Sequence, residues 1–174
     1  PGMSPNEGAA PPPSDDAPSA PYRLRPMTLA DVPVCAEMRL RLIPNTFLNT
    51  LGARFMREVY YAGLCRSPHA RAYVAVHGER PIAFLCIALN YEAFQGELRR
   101  TAPLRVLTAL AGRCILHPSV AMNIVRFMAS GRPPIHAGAS AEVLGIAVEL
   151  EHRGRGIARR LLLHGLDELD RVRG

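Results

Sequence analysis

The sequence contains no tryptophan, and aromatic residues make up only 6% of its 174 residues. Proteins that bind single-stranded nucleic acid stack bases on such rings, so we expect no nucleic-acid partner. No apolar run is long enough to cross a bilayer, and the N-terminal residues do not form a secretory leader pattern. From these absences we expect a globular protein of the cytoplasm.

Cysteine is also scarce, with four residues that stand far apart in the chain. No pair has the spacing of a metal site or of a redox CxxC motif. Their apolar surroundings favour buried free thiols in a reducing compartment. The sequence therefore predicts neither a disulfide framework nor a bound metal. These cysteines are Cys35, Cys65, Cys86 and Cys114.

Positive charge, by contrast, is in excess. Lys and Arg number 21 against 15 Asp and Glu, so the formal net charge is +6. This favours an anionic partner, such as CoA, another nucleotide, nucleic acid or an acidic membrane surface, but does not choose among them. Residues 1–21 contain neither Lys nor Arg and are rich in Pro, Ala and Ser. We expect a flexible tail there and one folded domain over 22–174.

The most informative stretch is 141–163. Apart from Glu142, residues 141–148 are apolar and mostly small or β-branched, which is typical of a buried strand. Residues 149–156 are polar, charged and glycine-bearing, which predicts a tight connection. From Ile157 onward apolar residues recur at helical spacing. The members of this apolar set are Ile157, Leu161, Leu162, Leu166 and Leu169.

The predicted turn has the chemistry of a phosphate site. The first N–H groups of a helix have no partner within the helix, and the helix dipole is positive there. Gly154 and Gly156 let an anion approach the backbone, and Arg153 and Arg155 add charge. A P-loop would need Lys-Ser/Thr after the last glycine, and a dinucleotide fingerprint would need a third glycine at Arg159. An ordinary arginine-rich turn or an RG-type nucleic-acid segment is the alternative interpretation.

The segment 153–158, RGRGIA, matches the pattern Arg/Gln-x-x-Gly-x-Gly/Ala. It resembles the pyrophosphate-binding motif of the GNAT superfamily of acyl-CoA-dependent N-acetyltransferases, and LGIAV at 144–148 is similar to that family's fourth strand. The resemblance implies a fold of the α/β class, in which α-helices pack on a mixed β-sheet in an α+β arrangement. It also implies acetyl-CoA as acyl donor and a primary amine as acceptor, and the amine attacks the thioester directly.

The rest of the chain gives a compatible order of elements. We predict a strand at 22–27, a helix capped by Thr28 and ending near Leu42, and a second helix over 49–65 capped by Asn49 or Thr50. The apolar residues at 72–77 and 81–90 flank a glycine turn, which predicts a hairpin whose second strand is central and covered on both faces.

Two features depart from a compact member of the family. Residues 91–140 form an insertion with predicted helices at 101–114 and 119–130. Three interpretations of this insertion stay open. It forms a cap on the sheet, a lid over the acceptor, or a basic apolar surface at 99–132 that contacts a membrane or a protein. The chain also ends after one helix, where such folds continue, so we expect its C-terminal part to be missing. A second copy of the chain is a further candidate partner.

The resemblance also implies roles for individual residues. The N–H groups of residues 154–158 (Gly154, Arg155, Gly156, Ile157 and Ala158) would hold the pyrophosphate, together with the side chain of Arg153 or Arg155. Backbone of Ile146 and Val148 would pair with the pantetheine arm, and the N–H of Ile146 or Ala147 would polarise the thioester carbonyl.

Glu142 is the candidate general base. By alternation it shares a strand face with Leu144, Ile146 and Val148, unless a bulge intervenes. Glu149, which we expect in solvent, His136 and a water-mediated path are the alternatives. Two competing functions also stay open: an acyl-CoA-binding module without turnover, and a basic domain that binds membrane or nucleic acid.

Overall fold

The computed structural model describes residues 22–44, 46–101 and 141–173. Within these residues four strands form one antiparallel sheet in the order β1-β2-β3-β4. They are β1 (Arg23–Pro26), β2 (Ala70–His77), β3 (Arg80–Ala88) and β4 (Glu142–Val148). β3 lies between β2 and β4, and residues 82–88 are each no more than 4% exposed. The predicted hairpin with a central, doubly covered strand is therefore present.

Helices cover both faces of this sheet. One face packs against α1 (Val32–Leu42) and the helical region that follows it, around Met38, Tyr61 and Phe84. The other packs against the last described helix, around Leu85 and Leu161. The mixed α+β fold predicted from the sequence is confirmed. In the described part of the chain the helices are α1 (Val32–Leu42), α2 (Phe47–Thr50), α3 (Gly52–Phe55), α4 (Ala62–Arg66), α5 (Tyr91–Thr101) and α6 (Ile157–Arg173).

The second predicted helix is present but is irregular. α2 and α3 are followed by a π-helical segment, Met56–Tyr61, which leads directly into α4. The predicted apolar face of this region is buried, as shown by Leu51, Phe55 and Val59. Asn49 does not cap it: its side-chain amide donates to the Ile43 carbonyl, because the helix begins two residues earlier, after Thr46.

The first helix also begins later than predicted. Thr28 was expected at the N-cap, but α1 starts at Val32 and Asp31 occupies that position. The Thr28 hydroxyl donates to the Asp31 carboxylate at 2.8 Å instead of accepting from the helix backbone. Both residue types favour helix starts, and the partly buried Arg25 forms an ion pair with Asp31 at this position.

α6 packs on a slightly different face from the predicted one. Ile157, Leu161 and Leu169 are buried, but Leu162 and Leu166 are exposed by 36% and 46%. The cause is Gly165, where a Cβ atom would lie 2.8 Å from the Leu85 side chain. The missing side chain lets the helix approach the sheet along this line.

Several predictions concern residues outside the described part. They are the tail at 1–21, the helix at 119–130, nearly all of the helix at 101–114, Cys114, His136 and most of the surface at 99–132. α5, by contrast, is described and was not predicted. No helix among the described residues combines the length and apolar character needed to span a membrane.

Candidate acyl-donor site

The connection from β4 to α6 has the shape that the sequence predicts. A short 3₁₀ turn, Leu150–His152, follows the strand, and α6 begins at Ile157. Gly154 and Gly156 have φ values of +75° and +69°, in the left-handed region that side chains disfavour. A Cβ atom on either glycine would have no heavy atom within 4 Å. These glycines are required by the backbone, and they leave open space beside it.

The start of α6 presents donors to this space. The N–H of Arg160 donates to the Gly156 carbonyl at 3.0 Å, which is the first bond of the helix. The N–H groups of Ile157 and Ala158 precede that bond and so lie outside the helical ladder. With the positive end of the helix dipole they form an anion-binding arrangement. Arginines stand at 153, 155, 159 and 160 around it.

A cleft of about 310 Å³ lies against this junction. It brings together eight of the nine residues predicted to bind the acyl donor: Ile146, Ala147, Val148, Arg153, Gly154, Gly156, Ile157 and Ala158. Arg155 does not line it. The opposite wall is formed by Leu42 and Ile43, at the end of α1, which sequence reasoning did not assign to the site. The only feature of the sequence that could have pointed to these two residues is their position at the predicted end of that helix.

Two polar contacts hold the mouth of the cleft. The Arg153 Nε donates to the Val148 carbonyl at 3.1 Å, which folds the side chain back to the end of β4. Arg41 forms an ion pair with Glu149 at 2.6 Å and so joins the end of α1 to the end of β4. Glu149 was expected in solvent, but its side chain is only 12% exposed. A carboxylate already bound to arginine is a poor general base.

Glu142 is the first residue of β4 and pairs with Ala88. A β-bulge lies between this pair and the cleft. Gly145 pairs with Cys86 and Val143 pairs with Ile87, so Leu144 has no partner on β3. The expected shared face of Glu142, Leu144, Ile146 and Val148 is therefore wrong. Leu144 packs with the α1 side of the sheet, whereas Ile146 and Val148 pack with the α6 side. Glu142 falls on the α1 side. There burial raises the pKa of Tyr60, and the charge of Glu142 acts in the same direction.

The described cysteines do not suit covalent catalysis. Burial raises the pKa of the Cys35 and Cys86 thiols far above the usual value and that of Cys65 to about 11. A thiol attacks as its thiolate, so these three side chains are inert at neutral pH. In the part of the chain that the structure describes, no group of three or more His, Cys, Asp or Glu side chains is arranged to hold a metal ion.

Comparison with known proteins decides the family. The model of the acetyltransferase (GNAT) family matches residues 39–174. The chain belongs to this family. No curated protein and no solved structure matches the chain. The family match spans both walls of the cleft and the β4–α6 junction, and it supports a general acetyltransferase function for this GNAT domain.

Proposed function

We propose that this GNAT protein transfers an acetyl group from acetyl-CoA to the primary amine of an acceptor by direct attack on the thioester. The observation that carries the proposal is the β4–α6 junction. This junction has two glycines with left-handed φ values beside open space. It also has N–H groups without a partner in the helix and several arginines. These features suit the binding of a pyrophosphate. Acetyl-CoA supplies the activated acetyl group.

The chain's own residues have three tasks in this scheme. The N–H groups of residues 154–158 and the side chain of Arg153 or Arg155 bind the pyrophosphate. The outer edge of β4 at Ile146 and Val148 pairs with the amide-rich pantetheine arm. It is available because β4 ends the four-stranded sheet of the described residues. The N–H of Ile146 or Ala147 polarises the thioester carbonyl as charge develops on its oxygen.

Glu142 accepts the proton of the attacking amine. It lies on the α1 side of β4, and the bulge separates it from the residues that face α6. Replacing Glu142 by Gln should leave acetyl-CoA affinity unchanged and slow amine acetylation by about 10²- to 10³-fold. Glu92→Gln, at an exposed position of α5, is the matched control. An unchanged rate in Glu142→Gln would assign the proton to another path.

The decisive experiment is calorimetric titration of acetyl-CoA into the wild type, Gly156→Glu and Gly78→Glu. Gly78 is a matched control because it too has a positive φ, +59°, in open space, but lies in the β2–β3 turn. We expect Gly156→Glu to weaken binding by at least about 100-fold, since it puts a side chain and a negative charge in the anion site. Gly78→Glu should bind as the wild type does.

Two results would contradict the proposal. Equal affinity of the wild type and Gly156→Glu would remove the pyrophosphate from this junction. Tight binding without transfer to any amine in a broad panel would make the protein an acyl-CoA-binding module. The cytoplasmic location, a membrane or protein contact through 99–132 and a homodimer stay predictions.

A further inference from the structure

β4 contains one residue more than its pairing with β3 can use. Leu144 is that residue, because pairing passes from Gly145–Cys86 directly to Val143–Ile87. A bulge re-aims the backbone that follows it. Gly145 comes next, followed by Ile146 and Ala147, one of whose N–H groups is proposed to face the thioester. The geometry of the bulge therefore sets the direction of this donor.

Arg39 of α1 reaches this bulge from the core. The side chain is buried, and its Nη1 donates to the Leu144 carbonyl at 3.4 Å. A Cβ atom on Gly145 would lie 2.5 Å from the same Nη1. Gly145 does not have a positive φ, so its backbone does not require glycine. A Cβ atom at 145 would instead displace the end of the Arg39 side chain.

A buried arginine is costly unless its charge is compensated. Among the described residues no carboxylate pairs with Arg39, and its Nε has no hydrogen-bond partner. The face of the Tyr60 ring, 5.8 Å from the guanidinium carbon, gives partial compensation. A methionine of similar length would bury no charge at this position. In the described part of the chain, the hydrogen bond of this guanidinium goes to the Leu144 carbonyl.

We propose that Arg39 is a positioning residue for the acyl donor, which fixes the β4 bulge and thereby aims the N–H of Ile146 or Ala147 at the thioester. This inference rests on the proposed function. The guanidinium acts through its hydrogen bond to the Leu144 carbonyl in the bulge. The glycine at 145 leaves it the room to do so.

The test compares two probes on Arg39→Met and on Arg57→Met, an exposed arginine of the π-helical segment. One probe is acetyl-CoA. The other is adenosine 3′-phosphate 5′-diphosphate, which carries the pyrophosphate without the pantetheine or the thioester. We expect Arg39→Met to bind acetyl-CoA about 10-fold more weakly and the second probe within about twofold of the wild type. Arg39→Lys should recover part of the loss, and Arg57→Met should match the wild type with both probes.

Two further measurements separate positioning from folding. With acetyl-CoA labelled with ¹³C at the carbonyl, the carbonyl resonance should move on binding to the wild type and move less with Arg39→Met. If Arg39→Met does not fold, Gly145→Ala gives the second route. Its Cβ displaces the guanidinium, so it should show the same selective loss.

The outcomes are distinct. Equal acetyl-CoA affinity and an equal carbonyl shift in the wild type and Arg39→Met would overturn the inference. So would an equal loss for both probes, which is the signature of a cleft that has merely collapsed. Failure of the wild type to bind either probe would instead overturn the proposed function, and the inference with it.

Discussion

Two strand-to-helix junctions in this molecule use charge in opposite ways. Between β1 and α1, the buried Asp31 carboxylate accepts from both Nη atoms of Arg25 and from the amide and hydroxyl of Thr28, at 2.6 to 2.8 Å. Between β4 and α6, Gly154 and Gly156 are exposed and face open space. The first junction satisfies its charges internally and holds the chain. The second leaves donors for a ligand from outside.

The largest effect should follow from breaking the closed junction. Asp31→Ala removes the acceptor of a half-buried arginine and of a backbone N–H, so we expect a loss of about 3 kcal/mol in the free energy of unfolding. Urea unfolding measures it. Acetyl-CoA affinity of the folded fraction should stay within about twofold, because Asp31 lies outside the cleft.

The control is Asp170→Ala, at an exposed position of α6, which should change stability by no more than about 0.5 kcal/mol. If Asp31→Ala unfolds at the same urea concentration as the wild type, the Asp31 network does not stabilise the junction, and the contrast with the second junction fails.

Acid should weaken the same junction. Burial by itself would raise the pKa of the Asp31 carboxyl, but hydrogen bonds from Arg25 and Thr28 outweigh it and leave the pKa below the usual value. The unfolded chain therefore takes up this proton first as pH falls. The stability that Asp31 contributes is complete above the unfolded pKa, about 3.9, and is lost as pH falls through the folded pKa. Asp31→Asn should flatten the decline in stability below about pH 5. Parallel curves for the two proteins would contradict this.

The open junction could be predicted because its signals are local. A run of apolar residues, two glycines and a helical period lie within about 30 consecutive residues and imply one another. The residues of the bulge differ in this respect. Arg39 stands on α1 and resembles a solvated charge, since arginine is seldom buried. Its role depends on Leu144, which is 105 positions away in the chain.

The prediction that Glu142 lies on the same sheet face as Ile146 and Val148 was wrong for a related reason. Alternation assigns faces only while pairing is regular, and one unpaired residue reverses every assignment beyond it. The only local sign was Gly145 within an apolar strand. On α6, three leucines at 161–163 allow more than one packed face, and contact with Leu85 at Gly165 selects one of them.

The sequence assigns the same role at the open junction to Arg153 and Arg155. We expect the two side chains to contribute unequally to acetyl-CoA affinity. Arg153 lines the cleft and is anchored to the Val148 carbonyl, whereas Arg155 lies outside the cleft wall. We expect Arg153→Ala to weaken acetyl-CoA binding about 10-fold and Arg155→Ala by no more than about threefold. Titration at low and high salt measures both. The reverse order would mean that the pyrophosphate sits outside the described cleft.

The smallest effect tests whether the open junction is also held by an internal pair. Arg41 is half-exposed, so its bond to Glu149 adds less than about 1 kcal/mol to stability. Glu149→Gln removes a negative charge beside the anion site, and acetyl-CoA affinity should rise about two- to threefold at low salt and return to the wild-type value at high salt.

Glu37→Gln, exposed on α1, is the control for the loss of a carboxylate and should leave affinity unchanged. If Glu149→Gln instead lowers affinity, the pair with Arg41 serves to hold Leu42 and Ile43 against β4. The second junction would then also contain one internal ion pair, which shapes the cleft. Its helix start and Arg153 would stay available to the ligand. The contrast between the two junctions would be one of degree, since both would pair some of their charges within the protein.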